Sequence, residues 1–200
     1  MVTSTRSYRM KARAAAAEEA TDRILDAAER LFWEDPAQPV TLAAVATLAG
    51  VSVHSIIRRF GGQDGMMRAA AERATVRTEA ERAEPEPGNL DAAVAVLVGH
   101  YERTGDQVMR MLAAEYALPA ITELIDRGRT THADWCARMF ADALDARTGA
   151  ARKRLLAQLV AICDVYTWFL LRRQRGLTRR ETERALLEML APLVNGRSPS

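Results

Sequence analysis

Residues 49–67, AGVSVHSIIRRFGGQDGMM, decide how this chain is read. Gly50 stands between two short segments with helical spacing of apolar residues, TLAAVATLAG (41–50) and SVHSIIRRF (52–60), and Gly61-Gly62 ends the second. Thr41 and Ser52 each stand where a hydroxyl can cap the first turn of a helix. Gly50 can adopt the left-handed backbone that closes one helix before the next begins. Two short helices joined by a tight glycine turn predict a helix-turn-helix. Ala46 is small where the two helices must approach, and Val45, Val51 and Ile56 pack this corner inward. Val53, His54, Ser55, Arg58 and Arg59 are left outside the core, able to meet base edges, thymine methyls and phosphates. A solvated basic corner would carry the same two arginines, so the neighbouring elements have to decide.

Working outward, Ile24, Leu25, Ala28, Leu31 and Phe32 recur at helical spacing and predict a first helix over 18–34. Glu18, Glu19 and Asp22 favour its N-terminal end, and Asp35-Pro36 stops it. A fourth helix is expected over 63–83, and EPEPG (84–88) reads as a linker. Beyond it the pattern predicts helices over 89–104, 106–117, 119–146, 149–175 and 178–194, divided at Gly105, Pro119, Gly149 and Gly176. The expected fold is all-α, with about nine helices in all. A three-helix helix-turn-helix domain with its connecting fourth helix spans 18–83, and a regulatory helical bundle spans 89–200.

The chain has 200 residues, 48% hydrophobic and 27% charged, the profile of a globular protein with a substantial core. Net charge is only +2, so nucleic-acid binding must rest on local charge. Residues 1–17 hold Arg6, Arg9, Lys11 and Arg13 and no acid. They read as a flexible basic arm, tracking a DNA backbone or merely solubilising. No apolar signal core follows them, and no stretch has the roughly 20 apolar residues that span a bilayer. Cys136 and Cys163 read as buried free thiols of a cytoplasmic protein. His132 and Cys136 have a metal-ligand spacing but lack a third ligand nearby in sequence, so packing is the reading. Nothing basic flanks the cysteines to activate them. No nucleophile–base–orienter set and no phosphate-binding loop is present, so neither an enzyme nor a cofactor is expected.

Thr41, Val45, Ala46, Ala49, Gly50, Val51, Ser52, Ile56 and Phe60 form a pattern that resembles the N-terminus of the tetracycline-repressor (TetR) family. The resemblance covers roughly residues 18–70. It implies a recognition helix from Ser52 to Arg59, a phosphate contact from Thr41 and a second from the start of the fourth helix at Gln63. It also implies a homodimeric bacterial repressor, binding a palindromic double-stranded DNA operator and released from it by a small molecule. Three positions depart from the family pattern, Arg59 among them, standing where His or Tyr is usual before the Phe. Ile57 stands where a phosphate-binding Tyr is usual, and Gln63 where a Lys is usual. A neutral amide can bond phosphate but releases no counterion. The rival reading is an interaction adaptor of the same fold that has lost specific DNA binding.

For the effector, His100, Tyr116, Trp135, Met139 and Tyr166 are the candidate pocket residues, because helical bundles place ligands between helices. For the dimer interface, one face of the 149–175 helix (Leu156, Val160, Cys163, Thr167) and part of the last helix (Leu186, Leu190, Leu193) are the candidates.

Overall fold

The computed structural model describes residues 3–36, 38–113, 115 and 119–195, with backbone alone at 3–11, 13 and 119–121. Every regular element among them is helical. The chain divides into two compact units, residues 1–76 and 77–200.

The N-terminal unit contains α1 (Thr3–Glu34), α2 (Leu42–Ala49), α3 (Val53–Phe60) and the first part of α4 (Gln63–Ala83). Ile24 and Ala28 of α1, Val45 and Ala49 of α2, Ile56 of α3 and Met66 and Ala70 of α4 form one buried cluster. Each fully buried Ile, Val or Met side chain among them contributes about 1.5–3 kcal/mol, enough to fix how four short amphipathic elements pack. Local chemistry sets the boundaries. The Thr41 hydroxyl accepts from the Ala44 amide at 3.2 Å, and the Ser52 hydroxyl from the Ser55 amide at 3.1 Å. Between them Gly50 has φ +66°, and the Val51 amide reaches back to the Ala46 carbonyl at 3.0 Å. That reversal needs a residue without a Cβ.

Two ties reinforce the corner. Arg23 of α1 donates to the Ala49 carbonyl at the end of α2, at 3.2 Å. Arg73 of α4 bonds Asp26 at 2.6 Å and Glu29 at 2.9 Å, with Asp22 at 3.7 Å. The expected start of α1 near Glu18 is corrected: the backbone of residues 3–17 belongs to the same helix. A run of alanines has high intrinsic helix propensity and no breaker precedes it, so the helix extends past its apolar face. The basic side chains expected to form an arm, Arg6, Arg9, Lys11 and Arg13, lie outside the described residues.

The C-terminal unit contains the end of α4, α5 (Leu90–Ala113), α6 (Pro119–Met139), α7 (Ala141–Asp145), α8 (Gly149–Ile162), α9 (Val165–Phe169) and α10 (Arg179–Asn195). A π-helical turn, Leu170–Gln174, continues α9. α5 packs against α6, α9 and α10, and α8 against α6 and α10. Leu97, Val98, Met139, Leu144, Leu159, Trp168, Leu186 and Leu190 lie at its centre, all nearly inaccessible.

Three boundaries differ from the sequence expectation. Gly105 does not divide α5; it lets a ring in. A Cβ there would lie 2.3–2.8 Å from three atoms of the Trp168 indole. Glycine has been used for closeness, at a helix cost of about 1 kcal/mol. The 119–146 segment breaks at Phe140, and the 149–175 segment breaks at Cys163-Asp164. At the second break the Asp164 carboxylate caps α9 by accepting from the Tyr166 amide at 2.9 Å. The Tyr101 hydroxyl donates to the freed Cys163 carbonyl at 3.0 Å. Apolar spacing runs through this elbow unchanged, which is why periodicity alone does not show it.

Candidate nucleic-acid interface

α3 has two unlike sides. Ile56 is fully buried, whereas Val53 is 37% and Ile57 44% exposed, large fractions for β-branched residues. His54 and Arg58 are exposed too, and neither makes a hydrogen bond or ion pair with a described residue. His54 and Arg58 are four residues apart, as are Val53 and Ile57, so each pair stacks on one helical face. The surface therefore offers a cation, an imidazole and two apolar groups side by side.

Arg59 behaves differently from Arg58. Its guanidinium donates to the Ala17 carbonyl of α1, so part of its donor set holds the fold. Ser55 is half-buried and shares a 2.9 Å hydrogen bond with the Ser52 hydroxyl. These two serines shape the start of α3 as much as they offer donors. Thr41 is exposed and uses its oxygen as a cap, leaving its proton for an outside acceptor. Gln63 is exposed at the first turn of α4, beside a shallow hollow lined by Phe60, Gly61, Asp64 and Arg68. The hollow carries one charge of each sign, Arg68 and Asp64, beside the first turn of α4.

A short helix capped by serine, set across a glycine turn from its partner and showing a polar outer face, is the geometry that enters a major groove. Residues 24–70, the stretch from mid-α1 to early α4, match the family model of bacterial regulatory proteins of the tetR family. That stretch is a tetR-type DNA-binding domain. No curated protein matches the chain. The match covers the DNA-binding helices, so the protein is a DNA-binding transcriptional regulator with a helix-turn-helix.

Residues 71–200 lie outside the match, and there the structure alone places the remaining candidates. His100, Trp135 and Met139 are buried in the C-terminal unit. Tyr166, expected beside them, is instead 50% exposed, because the elbow before α9 turns it outward. Tyr116 lies outside the described residues. Among the residues expected at a dimer interface, Cys163, Leu186 and Leu190 are corrected to interior positions, 0–1% exposed within one protomer. α10 turns Leu186 and Leu190 onto α5 and α8. Leu156, Val160, Thr167 and Leu193 are half-buried.

One residue of this interior had no signal in the sequence. Arg82, in the last turn of α4, is 6% exposed. Its guanidinium carbon lies 5.8 Å from the Tyr101 ring centre and 5.7 Å from that of Trp135. It donates to His132 Nδ1 at 3.3 Å, and its Nε has no partner. Its carbonyl accepts from Trp135 Nε1 at 2.9 Å and from Arg138 at 3.3 Å. An arginine just before EPEPG reads as a solvated helix end; only packing turns it inward. Nearby, His100 Nδ1 is 3.4 Å from Glu81, which also pairs with Arg103. Burial, and then the Arg82 charge, depress His100 to about 4 against the upward pull of Glu81.

No group of three or more His, Cys, Asp or Glu among the described residues is arranged to hold a metal ion. No single described helix is long and apolar enough to cross a membrane.

Proposed function

We propose that this regulator is a homodimeric repressor that binds a palindromic operator through α3 and is released by a small molecule taken up in its C-terminal unit. The observation that carries the operator reading is the outer face of α3, where Arg58 and His54 stand exposed without internal partners beside Val53 and Ile57. Arg58 suits a guanine edge or a phosphate, and Val53 and Ile57 suit thymine methyls. Thr41, Ser52, Ser55 and Gln63 position the helix on the backbone, and Arg59 braces it against α1.

One recognition helix reads too few base pairs for specificity, which favours a two-fold dimer reading half-sites about 34–36 Å apart or a multiple of that. The half-buried Leu156, Val160 and Leu193, with exposed Leu170 and Met189, favour the outer side of α8–α10 as the dimer contact. An effector among His100, Trp135 and Met139 would have to open a closed interior, the population shift that an induced release requires.

The test is a footprint on DNA upstream of the protein's own gene. Protection of a palindrome is expected, and Arg58→Ala should weaken it about tenfold without altering unfolding. If Arg58 meets phosphate, the salt slope should fall by about one. Absence of protection at low salt from a folded dimer would replace the repressor with the adaptor reading.

A further inference from the structure

We propose that Cys136 and Cys163 form an oxidation site, a buried dithiol that a hydroperoxide converts to an intramolecular disulfide linking α6 to the α8–α9 elbow. The two cysteines are the only ones in the chain, 27 positions apart, and the fold packs them close enough that each thiol is the main influence on the other's acidity. Both belong to the same buried cluster.

What surrounds them is not an ordinary apolar core. His132 lies one turn before Cys136, with Nε2 at 3.9 Å from its sulfur and 3.3 Å from the Val160 carbonyl. Arg82 can only donate, so His132 Nδ1 accepts and the imidazole proton sits on Nε2, toward the sulfur and that carbonyl. Arg82 brings a buried positive charge, and among the described residues no carboxylate pairs with it. A buried cation without an anion is costly, and a thiolate on Cys136 is the anion this cluster can make. The hydrogen bond from the Cys163 thiol, opposed by burial, and then His132 and Arg82 bring Cys136 down to about 6; the same bond and burial push Cys163 up. Cys136, with His132 Nε2 beside its sulfur, is the nucleophile this setting favours, and Cys163 is its resolving partner.

The chemistry balances with a hydroperoxide as the oxidant. The Cys136 thiolate attacks the terminal oxygen of ROOH, the S–O bond forms, and the O–O bond breaks. The alkoxide leaves and takes a proton from solvent, giving ROH and a sulfenic acid. The Cys163 sulfur then attacks that sulfur, the S–S bond forms, and water departs with the Cys163 proton. The thiols lose two electrons and the peroxide gains them. Access comes through the elbow: Cys163 is where α8 stops, α9 is a five-residue helix, and a π-helical turn follows. Such a stretch opens locally at less cost than the long helices around it. α6 also holds the last turn of α4 through Trp135 and Arg138, and α4 begins at Gln63 of the DNA-binding helices.

The full-length reduced protein, treated with hydrogen peroxide, should lose both titratable thiols together and regain both with dithiothreitol. Peptide mapping should find the Cys136–Cys163 link and no cross-linked dimer. Cys163→Ser should stop at a sulfenic acid on Cys136 that a dimedone probe traps; Cys136→Ser should leave Cys163 inert. Arg82→Met, which removes the charge without deleting the stem, should slow the first step about tenfold and reduce the thiolate absorbance at neutral pH. Both thiols surviving a peroxide excess, or appearing only as intermolecular links, would overturn the proposal. An unchanged rate and thiolate signal in Arg82→Met would remove Arg82 as the positioning residue. These readouts are chemical, so their failure is distinct from a failed footprint.

Discussion

Arg73 and Arg82 lie nine positions apart on α4 and meet opposite conditions. Arg73 faces α1 of the DNA-binding unit, with Asp26, Glu29 and Asp22 around its guanidinium and 26% of its side chain exposed. Arg82 is nearly inaccessible, flanked by two aromatic rings and a histidine, with an unbonded Nε. The first is a satisfied network that fixes a shape; the second is a cation with no carboxylate paired to it among the described residues, set beside the Cys136 thiol. Buried polar groups that are only partly satisfied weaken a fold unless they serve something else. The difference marks the N-terminal unit as a scaffold whose chemistry faces outward. The C-terminal unit keeps its chemistry inside.

The largest effect expected tests whether Arg82 merely sits in a loose interior. Gly105→Ala drives a methyl into the Trp168 ring and should cost the C-terminal unit about 3 kcal/mol, read from denaturant unfolding followed by tryptophan fluorescence. A neutral result would mean that the interior gives way, and Arg82's missing partners would then need no functional account.

Acid should produce the next effect. His100 is depressed to about 4, below its value in the unfolded chain, so the unfolded state takes up a proton first as pH falls. Its contribution is therefore complete above about 6.5 and lost between 6.5 and 4, up to roughly 3 kcal/mol. Urea unfolding across that window checks the sign, and His100→Gln should flatten the dependence. A stability that rose on acidification of the wild type but not the variant would reverse the account.

The smallest effect bears directly on the comparison. Arg73→Met should cost about 1–2 kcal/mol, because it removes the cation that Asp26 and the 13% exposed Glu29 share. Arg82→Met should fall within about 1 kcal/mol of wild type, since it removes a buried cation and Cys136 then takes up a proton, so no uncompensated charge is left behind. Equal losses would erase the distinction between the two arginines.

The helix-turn-helix was legible because its signals are local. Thr41, Gly50 and Ser52 act on amides within a few residues of themselves, and the apolar spacing of α1 and α3 matches what they bury. The outward placement of Val53, His54 and Arg58 follows from the same spacing. Arg59 was less legible: its bond to Ala17 joins positions 42 apart. The C-terminal unit is where periodicity misled. Leu186 and Leu190 have the spacing of an interface stripe and of a core stripe alike, and only the neighbours of α10 distinguish them. Gly105 reads as a break and serves as a seat for Trp168, a residue 63 positions away.

By itself the sequence determined the all-helical class, the capped pair α2–α3 and the identity of the outward residues on α3. Short-range hydrogen bonds and the helical repeat leave few alternatives there. Tertiary structure alone decided the inward turn of Arg82, the elbow at Cys163 and the meeting of Cys136 with Cys163. Those outcomes depend on which helices pack together, and no local preference of an arginine or a cysteine contains that information.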